Sequence, residues 1–155
     1  MGEENLEEFA AAQAGEEQLL AYLEQHGTAL ASASGAEIHA ALGDLLSDVD
    51  RAALSGDFAD YLAASTREGL AKGLWGWFDD DIAFFKDWGF ELEAIATPVT
   101  IWQGRQDRFV PFAHGEWLAA HVAGARAELL DEHGHLSIGI ASYGRVLDGL
   151  LESGA

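Results

Sequence analysis

Two short apolar runs with one helix's length of chain between them constrain this sequence most. Val99, Ile101 and Trp102 form the first run, closed by Gln103-Gly104, and Ala125 to Leu130 forms the second. Between them Phe112 to Val122 carries Trp117, Leu118 and Val122 at helical spacing. Strand, helix and strand in this order predict a parallel pair joined by a right-handed crossover. That topology brings the C-terminal ends of both strands to one edge. Gln106-Asp107-Arg108 follows the first strand there, and Glu132-His133-Gly134-His135-Leu136-Ser137 follows the second. An acid after one strand and a histidine after the next is how an α/β enzyme brings Asp and His together.

Ser137 to Glu152 closes the chain with a helix bearing Ile138, Tyr143, Val146, Leu147, Leu150 and Leu151. The expected fold class is therefore α/β, a mostly helical segment followed by a βαβα unit. Two strands do not make a stable open sheet alone, so one face and one edge are expected to meet other strands.

The first 90 or so residues contain no convincing strand. Leu6, Phe9 and Ala10, then Leu19, Tyr22 and Leu23, fall at helical spacing; Gly15 divides this stretch and Gly27 is a plausible stop. Glu37 to Leu46 reads as a short helix, with Ser34 as N-cap and Glu37 completing a capping box. Ser47-Asp48-Val49-Asp50 starts another, ending near Gly56, and Asp57 can cap a helix over 58–71. Leu74 to Trp88 is a last helix, rich in aromatics. The expected division is 1–90 helical and 91–155 α/β.

Gly104, Asp107 and Pro111 form Gly-x-x-Asp-x-x-x-Pro after the first strand, and Gly134-His135 follows the second. With a strand–helix–strand between, this resembles the C-terminal portion of the α/β-hydrolase fold. The resemblance implies that residues 1–90 are a helical cap or lid and that 91–155 complete a parallel hydrolase sheet. It implies Asp107 as the triad acid and His135 as the general base, acting on a small-molecule substrate with an ester, amide or similar bond and with no cofactor. Family members with an Asp nucleophile, acting on epoxides or carbon–halogen bonds, leave the substrate open.

The family's nucleophile sits in Gly-x-Ser-x-Gly on a strand-to-helix turn. The loosest match, Ser32-Ala33-Ser34-Gly35-Ala36, has no apolar strand before it. The family order of nucleophile, acid and histidine places the missing residue upstream of residue 1. The chain is then the back half of a hydrolase, inactive alone and prone to self-association or to docking on a missing N-terminal half.

Each candidate also has a plainer reading. Asp107 can be a turn residue with Arg105 and Arg108 as salt partners, and His135 a surface-loop histidine. His133 reads as a rim residue or, with His135, as half a metal site; no further ligand stands at suitable spacing, so no metal is expected. His26, His39, His114 and His121 read as solvated or capping. Trp75, Trp77, Phe78, Phe84, Phe85 and Trp88 either pack the last helix or line a substrate pocket.

Composition narrows the partners. The net charge is −19 with only 8 Lys and Arg, which disfavours nucleic acid and anionic membrane surfaces. There is no cysteine, no signal-like N-terminus and no long apolar run, so a cytoplasmic protein is expected. The rival to a hydrolase fragment is a non-enzymatic, small acidic binding or interaction module.

Overall fold

The computed structural model describes residues 1–153. The described residues are mostly helical with one two-stranded parallel sheet, which is α/β in the coarse sense. It divides into two compact units. One comprises Gly2–Leu45 and Leu54–Trp88; the other comprises Met1, Leu46–Ala53 and the chain from Gly89 onward.

The first unit holds helices α1 (Glu3–Ala14), α2 (Glu16–Ser32), α3 (Ile38–Ala41), α5 (Gly56–Gly69) and α6 (Trp75–Phe84), with a 3₁₀ turn at Gly43–Leu45. The break between α1 and α2 falls at Gly15, whose φ of 134° is open to glycine and strained for other residues. Asp44 starts α1 by accepting the Glu3 amide at 2.7 Å and the Glu4 amide at 3.4 Å. Ala12, Leu19 and Leu23 are buried, and Tyr22, Leu74, Trp77, Phe78 and Ile82 pack around them. Phe9 meets the edges of Phe84 and Phe85 at 5.9 and 6.0 Å.

Three local expectations need correction. Gly27 does not end a helix: α2 runs through it to Ser32, and a Cβ there would overlap the Leu74 side chain. Its role is close packing. Asp57 is not an N-cap: α5 begins at Gly56, and Asp57 lies in its first turn. The stretch expected to be one helix over 37–46 is split into α3 and the 3₁₀ turn, because Gly43 takes a φ of 48°. Of the proposed capping box, the Glu37 half forms, accepting the Ser34 amide at 3.0 Å and its hydroxyl at 2.6 Å.

The second unit holds α4 (Asp48–Ala53), a 3₁₀ turn at Leu92–Ala94, β1 (Thr100–Gly104), α7 (Phe112–His121), β2 (Arg126–Leu130) and α8 (His135–Ser153). β1 and β2 pair in parallel, from Thr100 opposite Arg126 to Gly104 opposite Leu130. α7 packs on both strands; a side chain at Gly115 would press on Gln103. α8 packs on β1 and α4. Its other side, with Tyr143, Leu147 and Leu151, is exposed. Among the described residues no helix is long and apolar enough to cross a membrane.

Asp81 of α6 is 3% exposed, and its Oδ2 has no hydrogen-bond partner among the described residues. Burial, then the charge of Glu8, pushes its pKa up to about 7. A carboxyl raised on folding adds stability that is complete below its ordinary value and is lost as pH rises through the folded pKa. Asp81→Asn is therefore expected to raise the melting temperature more at pH 8 than at pH 5. Thermal denaturation of both proteins at the two pH values checks this; equal effects at both would contradict it.

Candidate functional site

The site is built at the C-terminal ends of β1 and β2. The chain leaves β1 at Gly104, where a side chain would overlap the His133 and Gly134 carbonyls. Only glycine allows the two post-strand loops to close on one another. Two hydrogen bonds carry the strand pairing into the loops, Arg105 N–H to Leu130 O at 2.8 Å and Gln106 N–H to His133 O at 2.9 Å.

Asp107 follows, buried and fully engaged. Its Oδ1 accepts the Phe109 and Val110 amides, each at 2.8 Å, which folds the loop around the carboxylate. Its Oδ2 accepts from Gln103 Nε2 at 3.0 Å and faces His135 Nδ1 at 2.9 Å. Gln103 is itself buried and also reaches the Val110 carbonyl at 3.3 Å. Burial pushes the Asp107 pKa upward. The His135 hydrogen bond, the Val110 amide, the imidazole's charge and the Phe109 amide together outweigh burial and hold it below its ordinary value. The stability this group adds is present above the ordinary carboxylate range and lost as pH falls through the lowered pKa.

An ionised carboxylate only accepts, so His135 presents Nδ1–H to Asp107 and carries its free lone pair on Nε2. The imidazole stacks on Phe109 at 4.5 Å and is 41% exposed. Among the described residues no hydroxyl or carboxylate hydrogen-bonds Nε2. An oriented imidazole with an open Nε2 can take a proton from a group brought to it and later return it.

The backbone of His135 is held by a residue that sequence reading takes only as part of a helix start. Asp50 on α4 is fully buried, and its carboxylate accepts the amides of His135 at 3.0 Å, Leu136 at 3.0 Å and Ser137 at 2.9 Å. Ser47 Oγ donates to it at 2.9 Å. These three amides are the first of α8, which have no partner within the helix. The residue before them, Gly134, has no side chain to cap with, and its own amide is accepted by Ser137 Oγ at 2.8 Å. A Cβ on Gly134 would overlap the Asp50 carboxylate and crowd Ser47 Oγ. Asp50 thus acts as N-cap from 85 residues away, its charge set against the positive end of the helix dipole. No local pattern reveals this, because the partner lies across the chain.

The other candidates stand apart from this cluster. Arg105 Nε pairs with Asp131 at 2.5 Å, and its guanidinium lies over Phe112, so Arg105 is not the partner of Asp107. His133 contributes its carbonyl to the loop closure and lines a shallow groove of about 330 Å³ with Val49, Ala53 and Ile140. Among the described residues no cluster of three or more His, Cys, Asp or Glu is arranged to hold a metal ion. His26 stacks on Tyr22, His39 is bonded to the Leu54 carbonyl, and His121 is bonded to the Trp117 carbonyl. Ser34 is tied to Glu37, in a turn rather than a strand-to-helix elbow. A cavity of about 400 Å³, lined by Val99, Thr100, Trp102, Arg126 and Arg145, includes the first residues of both strands, the end opposite Asp107 and His135. No protein-family model, curated protein or solved structure matches the chain.

The glycines of the His135 loop and of α8 are expected to behave oppositely. Gly134→Ala should cost about 1–3 kcal/mol by overpacking against Asp50. Gly139→Ala, with nothing within 4 Å of the added methyl, should stabilise by about 0.5–1 kcal/mol. Denaturant unfolding of the two variants checks the contrast, and equal stability would argue against the tight fit at Gly134.

Proposed function

We propose that this chain supplies the acid and general base of an α/β-hydrolase, with the nucleophile carried on a segment or chain outside these residues. The observation that supports this reading best is the Asp107–His135 pair at adjacent parallel strand ends. Asp107 fixes the imidazole through Nδ1 and leaves Nε2 open, at 2.9 Å with a carboxylate held ionised. In this reading a serine hydroxyl, or a water in the second half-reaction, gives its proton to Nε2. Asp107 stabilises the imidazolium that results. The substrate is a small molecule with an ester, amide or similar bond, and no cofactor takes part.

β1, α7, β2 and α8 would then be the last part of a larger parallel sheet, and the helical segment ahead of them a cap. The exposed apolar side of α8 supports a missing neighbour, since Tyr143 and Leu151 are 66% and 75% exposed. The rival reading, an acidic interaction module, draws on the same exposed side. The two separate on catalysis.

The chain alone is expected to show negligible turnover of short-chain p-nitrophenyl esters. Co-expression with an upstream segment bearing a strand–Gly-x-Ser-x-Gly–helix should restore it. His135→Ala should then abolish the gain, and Asp107→Asn should lower it by about 10⁴-fold through loss of the working tautomer. Turnover by the lone chain that survives both His135→Ala and Asp107→Ala would overturn the reading.

A further inference from the structure

We infer that Asp50 is a positioning residue for His135, which makes α4 part of the catalytic apparatus rather than of the helical segment around it in sequence. The inference rests on the reading of His135 as general base. Its geometric half stands without it. A general base needs its ring nitrogen held to a fraction of an ångström, and two restraints are required for that. Asp107 fixes the ring through Nδ1. The ring's origin, the Cα of residue 135, must be fixed separately, because Gly134 before it offers no side chain to anchor the loop.

Asp50 provides this second restraint. Its two oxygens take three consecutive amides, with Oδ2 on His135 and Oδ1 on Leu136 and Ser137. The carboxylate is in turn held by Ser47 Oγ, whose oxygen also accepts the Asp50 amide at 3.4 Å. Asp50 lies on α4, which packs on α8, and Ser47 immediately precedes that helix. The His135 backbone and imidazole are thus clamped by two different buried carboxylates. The Asp50 carboxylate bonds the His135 backbone and not its imidazole, so Asp50 acts through the placement of His135.

The test has two arms. In the chain itself, imidazole nitrogen shifts of His135, assigned with His135→Gln, report which ring nitrogen carries the proton. The native chain is expected to show the Nδ1–H form. Asp50→Asn, of the same size, turns an amide donor toward donors and should lose that form; Asp50→Ala should do the same. Val122→Ala, a core truncation in the same unit, serves as the control for lost stability and should retain it. In the complemented enzyme, Asp50→Ala should lower kcat by about 10²-fold with KM little changed. Asp50→Asn should fall between Asp50→Ala and native.

Retention of Nδ1–H in folded Asp50→Asn would overturn the inference, as would an equal loss in Val122→Ala at matched folded fraction. If the native complemented protein is inactive while Asp50→Asn still disturbs His135, the hydrolase reading fails and the positioning by Asp50 stands.

Discussion

Four donors converge on one buried carboxylate, and the polar end of the sheet unit is arranged around keeping it charged. Asp107 takes two backbone amides, the Gln103 amide group and the His135 imidazole. Burial alone would push the carboxyl toward its neutral form. The donors reverse that, and each of them fixes a piece of structure in doing so. The amides shape the loop between β1 and α7, Gln103 ties the loop back to the strand, and His135 ties it to the start of α8.

Set beside Asp107, the other buried carboxylates show that donors decide the outcome. Asp50 is fully buried and is met by three amides and a hydroxyl, so it can serve as a helix cap. Asp81 is nearly as buried, has an oxygen without a partner and faces Glu8, and its pKa climbs to about 7. All three are aspartates and all three are hidden from water. Asp107 is stabilised as the anion by its hydrogen bonds, and Asp81 is pushed toward the neutral acid.

Much of the frame was legible in the sequence for definite reasons. The strands fall at 100–104 and 126–130, where apolar β-formers end in polar loops, and the preceding chain is helical. Asp107 and His135 could be singled out because a parallel crossover brings consecutive strand ends together. Asp50 could not, since its partners are amides of a distant loop, and amides leave no mark in a side-chain pattern. Gly27 misled for a related reason. A glycine that ends a helix and one that admits a neighbouring Leu74 look alike until the neighbour is known. The Asp57 cap failed because α5 begins one residue earlier, at Gly56 with a φ of 54°.

Helix α8 is nineteen residues long and carries Gly139, Gly144 and Gly149 with open space where each side chain would be. A helix so interrupted propagates weakly, since each glycine costs about 1 kcal/mol against alanine. Its nucleus, the unfavourable first turn, is supplied ready-made by Asp50 and Ser137 at one end. Order in this helix is therefore polarised along its length. Unwinding starts at the far terminus and works inward, turn by turn, and the turn bearing His135 is the last to melt.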